Sequence, residues 1–155
     1  MTRYASNTTV SSDQSRSEIE RTLQRYGANK FGYLWEGKAS VIVFEMNGRR
    51  IKFVLPMPAR DDPKYGKTPT GRVKRNQEAH FKAWEQDCRS RWRALLLCIK
   101  AKLESVESDI ESFEEAFLPH IVLPNGQTAG EHLIPQIADI YQTRKMPKML
   151  MESGR

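Results

Sequence analysis

The feature that most constrains the fold is a long run of apolar residues at helical spacing in the second half of the chain. Eleven such residues span 36 positions in ten steps, which is the 3.6-residue period of a straight α-helix. Asn76 is a good N-cap residue before the run, and Pro119 ends it. The sequence therefore predicts one long amphipathic helix, although it also allows a break near Ser112. The predicted apolar stripe consists of Phe81, Trp84, Cys88, Trp92, Leu95, Ile99, Leu103, Val106, Ile110, Phe113 and Phe117.

Three β-type segments precede this helix, at 31–36, 39–46 and 49–56. Asn47-Gly48 joins the second and third segments, and Asn-Gly between β-branched runs is a strong hairpin signal because a type I′ turn needs positive φ at both positions. The stretch 41–44 is apolar on both faces and predicts the central strand. We therefore expect a three-stranded antiparallel meander.

Shorter helices are predicted on either side of these elements. Ser15 and Glu18 fit a capping box for a short N-terminal helix over about 16–26, and the residues before it read as a flexible tail, 1–14. Thr128 and Glu131 fit another box for a short C-terminal helix, which Pro135 either interrupts or starts. The predicted class is α+β, with one domain over 15–143 and a basic tail over 144–155.

The composition predicts the kind of partner and the cellular compartment of the protein. The chain of 155 residues has 25 basic and 19 acidic side chains, a net charge of +6, and this balance favours an anionic partner. Cys88 and Cys98 lie about 15 Å apart along the predicted helix, which is too far for a disulfide. No apolar run approaches the ~18 residues of a membrane helix and no signal-peptide core follows the first methionine. We expect a cytoplasmic protein without cofactor or metal.

The segment 56–76 is the longest stretch without periodicity, and it is rich in proline, glycine and basic residues. Four basic residues on the long helix are spaced by seven, four and seven, so they share one face apart from the apolar stripe. We expect phosphates to follow this face and the loop, with Tyr65 or Trp84 stacking on bases. The predicted nucleic-acid-binding residues are Arg60, Lys64, Lys67, Arg72, Lys74 and Arg75 in the loop and Lys82, Arg89, Arg93 and Lys100 on the helix.

Charge segregation along the same helix leaves a second interpretation open. Acidic residues crowd its far end, opposite to what the helix macrodipole prefers, so local helix stability does not explain the arrangement. The basic face could be solvated and paired with acidic groups elsewhere, including the acidic half of a second copy. That interpretation predicts a protein-interaction module.

Evidence for catalysis in the sequence is weak. His80, His120 and His132 are scattered, and a metal or acid–base site would need two of them to converge with a carboxylate. Glu45 and Lys52 resemble part of a nuclease-like set, but a cross-strand ion pair between them is the simpler interpretation.

The segments EIERTLQRYGA, VIVFEMNGRRIKFVLPMP, RWRALLLCIKAKLESVES and HIVLPNGQT form a pattern over residues 6–150, which is most specific in RWRALLL, IKAKLE and HIVLPNGQT. Taken whole, this pattern resembles a family of small uncharacterised proteins encoded by tailed bacteriophages and prophages. The resemblance implies synthesis in an infected bacterium and a place in the host cytoplasm, and it brings no functional residue with it. The resulting hypothesis is a phage accessory protein that binds nucleic acid non-specifically, preferring single strands. The alternative is a protein-interaction module, such as an inhibitor of a host enzyme or defence complex, or a self-assembling component.

Overall fold

The computed structural model describes residues 3–68, 70–71, 74 and 76–147, and it confirms the predicted α+β class. A three-stranded antiparallel sheet is combined with a long helix, a short N-terminal helix and a C-terminal helix. In chain order the elements are α1 (Ser12–Arg25), β1 (Lys30–Glu36), β2 (Ala39–Met46), β3 (Arg49–Pro56), a 3₁₀ turn (Pro63–Gly66), α2 (Gln77–Glu107), α3 (Phe113–Phe117), a second 3₁₀ turn (Leu118–His120) and α4 (Ala129–Thr143).

The sheet is the predicted meander, in the order β1-β2-β3. Asn47 and Gly48 take φ values of 51° and 71°, the left-handed conformation that the two-residue turn requires. This turn sets Phe44 opposite Ile51 and Ile42 opposite Phe53, so large apolar side chains of β2 and β3 share one face. That face carries the core.

The predicted start of the N-terminal helix is wrong by four residues. The capping box is formed by Ser11 and Gln14, and Ser15 is instead a buried residue inside α1. Upstream of α1, Ala5 is buried and the Gln86 side chain donates hydrogen bonds to the carbonyl oxygens of Ser6 and Thr8. Part of the predicted tail thus lies against α2.

The single long helix divides, as the sequence allowed. Asp109 takes a left-handed φ of 55° and the Ile110 amide donates to the Ser105 carbonyl, a Schellman-type end that closes α2. Ser112 and Glu115 then form the capping box that opens α3. Ile110 is therefore 75% exposed, and its predicted place on the buried stripe is wrong.

The core lies between the sheet and the helices α1, α2 and α3. Its aromatic centre joins Phe44 and Phe53 of the sheet to Phe117, whose ring contacts both edge-on at 6.2 and 6.4 Å. Ile19 and Leu23 of α1 are fully buried in the same cluster. Because α1 packs mainly along α2, it carries its own polar side chains to the flank of the long helix.

Candidate interaction surfaces

Two of the predicted nucleic-acid-binding cations, Arg93 and Lys100, face α1 and share one carboxylate. An Arg93 nitrogen lies 2.9 Å from Oε2 of Glu18, and Lys100 binds Oε1 of the same residue. The hydrogen bond from Lys100 lowers the pKa of Glu18, and the hydrogen bond from Arg93 lowers it further. Burial acts in the opposite direction but does not cancel these effects. These cations hold α1 against α2.

The other two helix cations pair within α2. Lys82 lies 2.9 Å from Glu78, an ion pair that raises the pKa of the lysine, and Arg89 lies 3.5 Å from Glu85. Both pairs have the i,i+4 spacing that brings side chains together on a helix surface. The four cations of the predicted face thus pair with three carboxylates of the same chain, because Glu18 serves two of them.

Lys64, from the basic loop, belongs to a buried cluster around Asp87 of α2. The Asp87 carboxylate accepts hydrogen bonds from the Tyr65 hydroxyl at 2.6 Å, from Lys64 at 3.0 Å and from Arg3 at 3.1 Å. Burial alone would raise the pKa of Asp87, but these three donors outweigh it and bring the pKa to about 2. Burial and the bond to Asp87 raise the pKa of Tyr65 to about 12. The cluster ties the N-terminal segment and the loop to α2.

Arg60 stacks on aromatic side chains at the start of α2. Its guanidinium carbon lies 4.9 Å from the Phe81 ring centroid and 5.7 Å from that of Trp84. The Trp84 indole donates to the carbonyl of Pro58 at 3.0 Å, and a ring nitrogen of His80 lies 2.8 Å from the carbonyl of Arg60. Phe81 is 38% exposed, although it belongs to the predicted apolar stripe. Trp84 and Arg60 instead hold the loop.

Two further loop cations, Lys67 and Lys74, lie on the surface. Lys67 and Lys74 are exposed and form an isolated antiparallel backbone bridge. Neither side chain makes an ion pair with the described part of the chain. The predicted site residues Arg72 and Arg75 lie outside the described residues.

The weak catalytic candidates do not come together. Glu45 pairs with Lys30 at 2.8 Å and with Arg50 at 3.0 Å, whereas Lys52 lies 3.9 Å from Glu36, so the expected pair between Glu45 and Lys52 is wrong. Glu45 and Lys52 do not meet because the register of β2 and β3 sets Glu45 opposite Arg50. His120 stacks on Phe53 with ring centroids 4.0 Å apart. Among residues 3–68, 70–71, 74 and 76–147, no group of three or more histidines, cysteines and carboxylates could hold a metal ion.

α4 presents an apolar surface that was not predicted from the sequence. Ile134, Ile137 and Tyr141 are 63%, 43% and 76% exposed, although their spacing places them on one side of a helix. α4 is fixed at its beginning, where a Cβ added to Gly130 would lie 2.8 Å from the carbonyl oxygen of Pro119. The apolar spacing was visible in the sequence, but its exposure depends on α4 projecting beyond the core.

A second apolar surface lies on α2, on the side opposite the core. Ala94, Cys98 and Ala101 are exposed there and Leu97 is half-buried. They form the floor of an open groove of about 830 Å³, which Leu55 and residues 3–5 border. Between Ala94 and Ala101 this side of α2 carries no charge, and Arg3 and Arg91 also line the groove.

Comparison of the chain with protein-family models, with curated proteins and with solved structures found no match. Among the described helices, none has both the length and the apolar character needed to cross a membrane.

Proposed function

We propose that this chain is a protein-interaction module that presents α4 to an apolar groove on another protein. The observation that carries the proposal is the exposure of Ile134, Ile137 and Tyr141 along one side of α4. An amphipathic helix that lays such a side into a groove, with anchors three and four residues apart, is a common mode of recognition. Their exposure leaves most of the surface of these anchors available for burial.

The way in which α4 is held supports this role. The capping box of Thr128 and Glu131 starts the helix, and Gly130 permits close packing on Pro119. Beyond that first turn, most side chains are exposed or half-buried. The helix is thus formed before it meets a partner, which reduces the conformational entropy lost on binding.

The pairing of the four α2 cations favours this function over nucleic-acid binding by the helix face. Resemblance to phage proteins suggests the kind of partner: a protein of the infected bacterium, such as a host enzyme or a component of a defence complex. An inhibitor needs only to cover a surface on its target, and no catalytic group is required for that.

We expect the double substitution Ile134→Glu/Ile137→Glu to abolish this interaction without unfolding the protein. Capture from bacterial lysate identifies the partner, and titration calorimetry with the purified partner then compares the variants. Burying two charged groups in an apolar groove should weaken binding at least ~100-fold, since each unpaired buried charge costs several kcal/mol. The Tm should change little, because both isoleucines are exposed.

The matched control is Gln142→Glu/Thr143→Glu, which adds the same charge at exposed positions of α4 that face away from the Ile134–Ile137 side. It should bind within about threefold of the wild type, that is, within ~0.7 kcal/mol. Equal affinities of all three proteins would refute the role of α4.

Nucleic-acid binding through the loop alone is a second candidate. The exposure of Lys67 and Lys74 and the stacking of Arg60 on Phe81 favour it. We expect Lys67→Glu/Lys74→Glu to weaken binding of single-stranded DNA and to reduce the slope of log K against log[salt] by ~1.4, about 0.7 per lost phosphate contact. Fluorescence anisotropy over a salt series measures both. Lys38→Glu/Arg21→Glu, at exposed cations of the β1–β2 turn and α1, is the control. Binding that both variants weaken equally would reflect net charge only.

A further inference from the structure

We infer that two copies of this chain pair through the open edge of β1, which joins their sheets into one antiparallel sheet of six strands. The occupant of the edge is β1 of the second copy. The inference does not rest on the proposed role of α4, whose main contact is with the 3₁₀ turn at Leu118–His120 and not with β1.

The backbone of β1 has one side without hydrogen-bond partners. A two-residue turn follows the strand, with a φ of 59° at Gly37, so Glu36 and Ala39 on either side of it form a hydrogen-bonded pair. Because such pairs alternate along an antiparallel ladder, every second residue of β1 directs its backbone amide and carbonyl away from β2. These residues are Phe31, Tyr33 and Trp35. Their amide and carbonyl groups bond to no other element among the residues that the structure describes.

The other edge of the sheet, at β3, is protected against the addition of a strand. A bridge between Ile51 and Ile121 covers part of it. Lys52 in the middle of β3 and Pro56 at its end also discourage pairing with another chain. β1 differs, because its five central residues, 31–35, are uncharged and include no proline. Of the two edges, that of β1 is therefore the one suited to pairing.

Symmetry selects a register that uses the whole strand. A two-fold axis through Tyr33 makes the two strands antiparallel and pairs all seven residues of β1, and such a contact closes after two chains. Phe31 then lies opposite Trp35 of the second copy, and these positions are hydrogen-bonded pairs, as the unpaired backbone groups require. Trp35 is 67% exposed in the single chain. The aromatic ring opposite it would cover part of this surface.

On the outer face of the sheet, the register sets Leu34 opposite Gly32 of the second copy. Leu34 is exposed, and a Cβ added to Gly32 would meet no atom closer than 3.9 Å, so there is space beside this glycine. Glycine inside a strand often marks a place where another backbone comes close. At these positions the paired Cα atoms lie about 4.5 Å apart, which lets the leucine fill the space.

The charges at the two ends of β1 are complementary in the same register. Lys30 lies opposite Glu36 of the second copy, and the two side chains are 69% and 65% exposed. Lys30 also bonds to Glu45, which in turn bonds to Arg50. The pairing extends this alternating row of charges and breaks none of its bonds, because an ammonium group has three donors. A register shifted by one residue would lose both ion pairs between the copies.

Exchange of the two end charges tests the pairing in the full-length protein. Analytical ultracentrifugation should find the wild type at twice the 17.9 kDa chain mass. Lys30→Glu alone, or Glu36→Lys alone, sets like charges opposite each other at two places and should raise the dimer dissociation constant at least ~10-fold. The double variant Lys30→Glu/Glu36→Lys restores opposite charges and should return to within about threefold of the wild type. Its contacts within the chain, with Glu45 and Lys52, stay unfavourable, so recovery reports the second copy.

Engineered cysteines test the register itself. In a Cys98→Ser background, mild oxidation of Gly32→Cys/Leu34→Cys should give a covalent dimer, because facing Cα atoms at these positions lie within the ~7 Å that a disulfide requires. Gly32→Cys alone and Leu34→Cys alone should give none. A covalent dimer from either single variant would mean a shifted strand pairing and would overturn this register.

The outcome is separable from that of the α4 proposal. Ile134→Glu/Ile137→Glu should remain dimeric, since neither isoleucine is near β1 in the pair, and failure of the α4 proposal leaves this result unchanged. A wild-type protein that is monomeric at 100 µM, ~10⁻⁴ M, would overturn the inference. A double charge-exchange variant that dimerises no better than the single variants would overturn it as well.

Discussion

Replacement of Phe117 by alanine is expected to lower the free energy of unfolding by about 3–5 kcal/mol, the range found for large-to-small changes of aromatic residues in cores. Phe117 is fully buried, and its ring lies 6.2 Å from Phe44, 6.4 Å from Phe53 and 4.8 Å from Phe113. The loss would remove a large part of the ~5–15 kcal/mol that stabilises a typical domain. Urea denaturation followed by circular dichroism measures it.

Phe117→Leu is the control for this prediction, because it keeps most of the apolar volume and removes only the aromatic contacts. Its cost should be about 1–2 kcal/mol, clearly below that of alanine. If alanine and leucine destabilised equally and by less than ~1 kcal/mol, Phe117 would not join α3 to the sheet as the structure shows.

Replacement of Asp87 by alanine is expected to have the second largest effect, about 2–3 kcal/mol. The carboxylate receives three hydrogen bonds, and hydrogen bonds to charged groups contribute ~1.5–3 kcal/mol each when neither partner is free to reach water. Lys64 and Arg3 are half exposed or more and can be hydrated, so most of the cost comes from the buried Tyr65 hydroxyl. Tyr65→Phe, which removes that hydroxyl as well as its bond, should cost less than Asp87→Ala. Limited proteolysis of the Asp87→Ala variant should cut the loop before other segments, because the hydrogen bonds that join Lys64 and Tyr65 to α2 are lost.

The same carboxylate predicts a pH dependence. Its pKa is about 2 in the folded protein against an ordinary value of 3.8, so the folded state favours the ionised form. This stabilisation is complete above about pH 5 and is lost as the pH falls from there toward 2, amounting to ~2 kcal/mol. Asp87→Asn should therefore show a shallower loss of stability between pH 5 and 2 in urea titrations. An equal loss of stability in the wild type and in Asp87→Asn would show that the Asp87 carboxylate does not cause the pH dependence.

The sheet could be predicted from the sequence because its determinants are local. Asn47-Gly48 sets the turn, and the alternation in 49–56 sets which face is buried. The sequence allows the division between α2 and α3 but does not require it, because the apolar periodicity continues through Ile110. The left-handed conformation of Asp109 is what ends the helix.

The candidate site could be predicted only in part. The four α2 cations share a face, as spacing requires, but spacing along α2 gives no information on what α1 brings to it. Glu18 is 75 positions away from Arg93 in sequence, and their ion pair exists only because the two helices pack together. The exposure of the apolar side of α4 could not be predicted from the sequence either, because it depends on where the core ends.

The packing of α1 along α2 has a consequence for synthesis on the ribosome. Ile19 and Leu23 emerge early, but the helix that covers them begins only at Gln77, after the whole meander. The β-hairpins can form as soon as they leave the exit tunnel, since their contacts are local. The apolar side of α1 stays exposed until α2 has been synthesised. Delayed translation after the meander should therefore increase the binding of chaperones to the nascent chain, and polar residues at 19 and 23 should reduce it.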